Sequence, residues 1–343
     1  MDKILSIIVP TYNMEALLDQ CLTSLVLEDN RYREMMDVIV VIDGATDRSS
    51  EIAHRYADKY PEMFSVIDKE NGNYGSCINA ALPHVKGKYV RILDADDSYA
   101  TTELAEYLDK LDEICVDLFL TEHVKVNVDG SIKQHRKLPF IQDKVFDFKD
   151  VDPEYFIVMH CVAYRSSIFK EIDYHQTEGV SYTDLEWVFH PMSCVRTVYY
   201  YPKVIYKYLL GREGQTVEGL TMLKRLSHME KGLWSQLDVY KTIPYDNMAY
   251  AYLSRIIRYR TKLLYTWGLD KNAVFNMKEY DSKLKSNYPQ IYKKCEQYTI
   301  PLGILSLNMP IVKMWRMTKS RTLLRLHPLY IIHIFANKLN VKH

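Results

Sequence analysis

The stretch YVRILDADDSY, Tyr89 to Tyr99, ends an apolar run in three carboxylates, Asp94, Asp96 and Asp97. Two carboxylates at i and i+2 on one loop can present oxygens to a single hard cation such as Mg2+ or Mn2+. Two acids do not enclose a metal, so the other ligands must be water and a molecule that brings its own oxygens. A diphosphate does this well, because a bridging metal neutralises it as a leaving group. Another acid, Asp184, stands just before the helical pattern Leu185, Val188, Phe189 in EGVSYTDLEWVFHPM. On its own it reads as a helix cap. His160 precedes an extended segment, where it can line a site, serve a metal or fill the core. Asp97 reads as a solvated residue opening the next turn.

The elements that must position these groups alternate. LSIIVP, VIVVI, FSVI and YVRIL are short, continuously apolar strands, starting at Leu5, Val38, Phe64 and Tyr89. Between them, Leu17, Leu18, Cys21, Leu22 and Leu25 follow helical spacing, as do Ile52, Ala53 and Tyr56. A short helix over Tyr74 to Leu82 follows a glycine-bearing loop. Alternating strands and helices with fully apolar strands predict a mostly parallel α/β sheet with helices on both faces. Such sheets bind ligands beyond the carboxyl ends of their strands. Those ends carry Thr11-Tyr12-Asn13, Asp43-Gly44, Asp68 to Gly72, and Asp94 to Asp97, so polar groups gather on one edge. Beyond Tyr99 a helix is expected over Thr101 to Ile114. A strand then runs over Asp117 to Val128 into a hairpin at Asp129-Gly130, with further strands near Met159 to Tyr164 and Val198 to Tyr201. From about Leu220 the pattern is helical.

The 343 residues are 48% hydrophobic with a formal net charge of +0, which excludes a general polyanion binder and gives no reason to expect a nucleic-acid partner. Six cysteines lie scattered without a paired metal spacing and read as reduced thiols. The apolar run near the N-terminus stops at Pro10, which fits a strand and is too short for a signal-peptide core. No uninterrupted apolar stretch reaches the ~18 residues of a membrane span.

VPTYNME, IDGATDRS, ENGNYGSCINAAL and LDADD, in this order and spacing, resemble the successive signatures of the family 2 glycosyltransferases. The resemblance covers roughly the first 220 residues. It implies the GT-A fold, a Rossmann-like sheet, and an inverting transfer from a nucleotide-diphospho-sugar, by default a UDP-sugar. By the same resemblance, Pro10, Thr11, Tyr12 and Glu15 match positions at the donor base, and Asp43 the acid that binds the base. Asn71, Gly75 and Asn79 match the loop and helix near the ribose and diphosphate. Asp94, Ala95 and Asp96 match the Asp-x-Asp that holds Mn2+ or Mg2+, with Asp94 and Asp96 as ligands, Asp96 the more direct and Asp94 nearer the ribose or sugar. Asp184 falls where the family places its catalytic base, with Glu186 in reserve. GREGQTV resembles a segment that closes over the diphosphate, with Arg212 and Gln215 facing it. The sequence departs from the family at Ile42, Ala45, Ile78 and Thr183, which replace an acid, a serine, an arginine and an acid.

The expected organisation is a GT-A domain over 1–219, with a nucleotide-sugar half (1–100) and an acceptor half (101–219), then a helical extension over 220–343. In that extension every charged residue from Pro301 onward is Lys or Arg. The segment 313–335, basic and aromatic, can lie in a membrane interface, cover a core or pair with a second copy. Resemblance further implies a saccharide or lipid-linked saccharide acceptor and work on the cytoplasmic face of a bacterial membrane. A nucleotidyltransferase would show a Gly-rich basic loop after the first strand, which TYNMEALL is not. A dehydrogenase would show GxGxxG there. A decayed, non-catalytic binder would have lost the acids.

Overall fold

A computed structural model describes residues 2–211, 219–270, 272–301, 308–320 and 322. The chain divides into two units, Met1–Gln215 with Trp234–Arg255, and Thr216–Leu233 with Ile256–His343.

The first unit opens with β1 (Leu5–Thr11), α1 (Leu18–Thr23), α2 (Asn30–Met35), β2 (Met36–Asp43), α3 (Ser49–Lys59), β3 (Phe64–Lys69), α4 (Asn73–Ala81) and β4 (Tyr89–Ile92). These strands pair in parallel in the order β3-β2-β1-β4. All eight residues of β2 are buried, as a parallel strand covered on both faces requires. The chain leaves β1 toward β2 on one side, while β4 lies on the other. The β1/β4 edge is therefore the switch point where such sheets open a crevice.

The sheet continues through β5 (Ser98–Tyr99), α5 (Thr101–Glu113), β6 (Leu118–Asn127), β7 (Ile132–Arg136), β8 (Val145–Asp147), β9 (Val162–Arg165), α6 (Ser167–Glu171), α7 (Asp184–Met192) and β10 (Thr197–Leu210). Beyond β4 the order is β9-β6-β10-β5. β9 runs antiparallel to both β4 and β6. The hairpin expected at Asp129-Gly130 joins β6 to β7, with Gly130 at φ 82°. β6 does not alternate as its pattern suggested. Its first seven residues are all buried, because Glu122 is held by His135 and Tyr200 and His123 by Cys161 Sγ at 3.2 Å. Paired polar groups can be buried on both faces of a strand without loss.

Arg91 lies inside the apolar run of β4 and is fully buried. Its guanidinium donates to the Tyr107 hydroxyl at 3.0 Å and to the His160 carbonyl at 2.7 Å. It also lies over the rings of Tyr99 and Tyr107. This buried cation ties α5 and the segment before β9 to the strand that carries the acids.

The chain continues through α8 (Gly219–Lys224), α9 (Leu226–Tyr240) and α10 (Tyr250–Gly268), and the second unit, mainly helical, includes α11 (Met277–Asn287), α12 (Pro289–Lys294) and α13 (Ile311–Thr318). Of the three readings of the basic segment, its described part fits the one in which it covers a core. Trp315 is buried. Arg316 donates to Asp281 Oδ1 at 2.8 Å and lies 3.4 Å from the Tyr292 ring centroid. Lys319 reaches Asp281 Oδ2 at 2.5 Å. The aromatic and two of the basic groups close a core around a buried carboxylate. Residues 323–335 lie outside the described residues. No helix among the described residues is long and apolar enough to cross a membrane.

Candidate active site

The acids of the β4 end are held by tyrosines. Tyr74, from α4, donates its hydroxyl to Asp94 Oδ1 at 2.8 Å. Tyr206, from β10, donates to Asp97 Oδ2 at 2.6 Å and accepts from the Asp94 backbone N–H at 3.2 Å. The Leu209 N–H donates to Asp97 Oδ1 at 2.7 Å. Asp97 is thus not the solvated turn residue expected from the sequence; it is 3% exposed. Burial holds its carboxyl well above the usual carboxylate range, and the charges of Asp94 and Asp96 push it further.

Asp184 begins α7, with Thr183 in the cap position and making no side-chain cap bond. Far apart in sequence, Asp184 and the β4 acids act on the same hydroxyls. Burial pushes Tyr74 well up, with the charges of Asp94 and Asp184 adding to it. Tyr208 is pushed up to about 12, by burial first and then by Asp97, Asp94, Asp96 and Asp184.

The loop before Asp184 is fixed from both sides. Asn79 donates to the Gln176 carbonyl at 2.9 Å and to Glu178 Oε1 at 2.7 Å, and accepts from the Gln176 N–H at 2.8 Å. Gln176, fully buried, donates to the Thr183 hydroxyl at 2.8 Å. Glu186, also fully buried, accepts from the Thr177 N–H at 2.9 Å and the Thr177 hydroxyl at 3.0 Å. Its Oε2 is committed to the loop and the side chain is fully buried, which argues against its reserve role as base. Gly75 lets α4 approach this loop: a Cβ there would stand 2.1 Å from the Thr177 carbonyl oxygen.

The remaining expected donor residues line the same edge. Pro10 and Thr11 end β1; Thr11 is buried and its hydroxyl donates to the Val9 carbonyl at 3.1 Å. Tyr12 is 50% exposed. Glu15 accepts from the Arg48 N–H at 3.0 Å, and Asn13 accepts from the Thr46 N–H at 2.8 Å, so the loops after β1 and β2 are laced together. Asp43 receives Lys69 Nζ at 2.8 Å, the Gly72 N–H at 2.9 Å and Ser76 Oγ at 3.5 Å, all on Oδ1. Asn71 donates to the Asp43 carbonyl at 2.9 Å. Ile78, which stands where the family often has Arg, is fully buried; a cation reaches the same helix from Lys69, whose Nζ donates to Ser76 Oγ at 2.9 Å. Arg212 and Gln215 lie outside the described residues. Sequence reasoning missed Lys69, Tyr74, Tyr206 and Tyr208, whose contacts depend on which strands pair.

His160, from the turn before β9, packs its ring against Tyr206 at 4.6 Å and Tyr208 at 4.9 Å between centroids. One ligand atom each from Asp94, Asp97 and His160 lie within 4.8 Å of one another. Carboxylate oxygens and an imidazole nitrogen at that spacing fit a divalent cation.

A family model described as Glycosyl transferase family 2 matches residues 6–173. The chain carries a family 2 glycosyltransferase domain. The match spans β1 to β9, including the strand end with Asp94 to Asp97, and stops short of Asp184. Among curated relatives, the Minor teichoic acid biosynthesis protein GgaB of Bacillus subtilis is 32% identical over 124 residues, 34% of this chain and 14% of that protein. The Poly(ribitol-phosphate) beta-N-acetylglucosaminyltransferase TarS of Staphylococcus aureus is 33% identical over 125 residues, 36% of this chain and 22% of that protein. The chain thus aligns with well under half the length of either. In structure, the domain resembles TarS 1–349 in complex with UDP-GlcNAc, with a TM-score of 0.59 at 20% identity over 82% of this chain and 79% of that one. It also resembles the mannosyltransferase PcManGT of Pyrobaculum calidifontis in complex with GDP-Man and Mn2+, with a TM-score of 0.54 at 15% identity over 100% of this chain and 87% of that one. These likenesses show the GT-A fold of the glycosyltransferase domain.

Proposed function

We propose that the protein transfers a sugar from a UDP-sugar to an acceptor hydroxyl with inversion, in the building of a bacterial surface polysaccharide or lipid-linked oligosaccharide. What supports this reading is that Asp94, which holds the Tyr74 hydroxyl, and Asp184 both bear on that same hydroxyl. Asp184 takes the acceptor proton as the hydroxyl oxygen bonds to the sugar C1. The bond from C1 to the diphosphate oxygen breaks, and UDP leaves with the electron pair. Asp43, whose Oδ1 takes Lys69, Gly72 and Ser76, would offer its other oxygen to a donor group of the base. Asp94 and its neighbouring acids would hold Mn2+ or Mg2+, which when bound offsets the charge of the diphosphate. Tyr74 and Tyr206 fix the orientation of these acids, and the Asn79, Gln176 and Glu186 contacts fix the loop that leads to Asp184. The UDP donor is favoured by TarS, whose structure holds UDP-GlcNAc, and the envelope-polymer acceptor by the names of GgaB and TarS.

The test is calorimetric titration with UDP, GDP, CDP and dTDP, each with and without Mn2+. Metal-dependent binding of UDP alone is the expected result. Preference for another diphosphate would replace the donor class. Folded protein that binds none of them would overturn the transferase reading.

A further inference from the structure

The family's metal motif is an Asp-x-Asp pair, which here is Asp94 and Asp96, yet the residues whose ligand atoms converge are Asp94, Asp97 and His160. Topology explains the third member. β9 pairs with β4 in antiparallel register, Tyr89 opposite Arg165 and Val90 opposite Tyr164. His160 lies in the helical turn Met159–Cys161 just before β9, and its ligand atom comes within 4.8 Å of one from Asp94. The Arg91 guanidinium, bonded to the His160 carbonyl at 2.7 Å, fixes the backbone there. The ring is clamped by Tyr206 and Tyr208. Its Nδ1 is buried and takes no hydrogen bond. A buried ring nitrogen without a partner calls for an explanation, and a bound ion or water is the usual one.

Asp97 can join the set although both its oxygens accept hydrogen bonds. Each carboxylate oxygen has two acceptor sites, and Leu209 and Tyr206 use one on each. Those donors hold the carboxylate in the way outer-shell partners hold metal ligands.

Resting on the reading of this edge as a nucleotide-sugar site, we propose that its cation is bound by Asp94, Asp97 and His160, and that this mixed oxygen and nitrogen set selects Mn2+ over Mg2+. Imidazole suits transition metals, whereas Mg2+ prefers oxygen throughout and retains its water. An Asp94/Asp96 pair would give no such preference through nitrogen.

The experiment is pulsed electron paramagnetic resonance on the wild-type protein loaded with Mn2+ and UDP, which needs no variant to fold. Modulation from a directly bound 14N is expected, and it should vanish in His160→Gln. Continuous-wave titration should show Mn2+ binding weakened at least about tenfold in His160→Gln and Asp97→Asn. Mg2+-supported UDP binding should change less than about twofold in His160→Gln, because Mg2+ does not need the nitrogen. Mn2+ bound to wild type without 14N modulation, with wild-type affinity in His160→Gln, would overturn this ligand set while leaving the transferase reading intact. A wild type that binds UDP with neither metal would overturn both.

Discussion

At the scale of single residues, two carboxylates with similar sequence settings have different surroundings. Asp184 begins a helix close enough to the β4 acids to act on the same tyrosines. Glu186, two residues on, is buried and bonded to Thr177. Replacing Asp184 by Asn preserves shape and removes proton acceptance. D184N should bind UDP with Mn2+ as the wild type does, and lose turnover by about 10²–10⁴-fold, the range of general base catalysis. Calorimetry and initial rates on the same preparation separate the two effects. Near-normal turnover in D184N would remove Asp184 from the role of base. Glu186→Gln keeps one acceptor for the Thr177 groups, so its cost should fall on stability, visible as a lowered Tm.

At the scale of elements, the site depends on how closely α4 approaches the loop before α7. Gly75 permits it: the missing Cβ is where the Thr177 carbonyl oxygen sits, at 2.1 Å. Gly75→Ala must push the loop away and with it the Asn79 and Gln176 contacts that lead to Asp184. The expected cost is about 1–3 kcal/mol of stability, typical of overpacking, with a larger loss of kcat than of UDP affinity. Denaturant titration and steady-state kinetics would show it; an active, equally stable G75A would mean the loop has room. This dependence marks the limit of what the sequence discloses. Strand ends could be read because burial on both faces makes a parallel strand continuously apolar, so Asp43 and Asp94 to Asp97 fell on one edge by inspection. The partner Tyr206 could not, and His160 was read only as a residue able to line a site, serve a metal or fill the core. Their placement depends on β9 and β10 pairing across 70 to 110 residues of chain, which local patterning does not encode. Asp97 was misread for the same reason: its burial comes from β10, which is distant in sequence. The tail stayed open between membrane, core and a second copy because a basic amphipathic helix looks alike whether its cations meet phospholipid or, as with Arg316 and Lys319, one buried aspartate.

At the scale of the whole molecule, buried titratable groups set the response to acid, and the two units should differ. In the first unit burial pushes His123 and His190 down to about 4, from an ordinary 6.5, so both fold as neutral rings. In the unfolded chain each binds a proton once the pH falls below about 6.5. The stability they contribute is therefore fully present above 6.5 and declines as the pH drops toward 4, by up to about 1.4 kcal/mol per histidine per pH unit. In the second unit burial acts on Asp281 in the opposite sense, but the hydrogen bonds from Lys319, Tyr265 and Arg316 outweigh it, and its carboxyl is held below the usual value of 3.8. That contribution persists above the unfolded carboxylate range and disappears only as the pH falls through the lowered value. Hydrogen exchange followed from pH 7 to pH 5, corrected for intrinsic rates, should show protection falling around β6 and α7 while α11 and α13 keep theirs. His190→Gln, which cannot titrate, should flatten the decline around α7. Equal loss in both units, or no loss by pH 5, would mean that these histidines do not govern the acid limit.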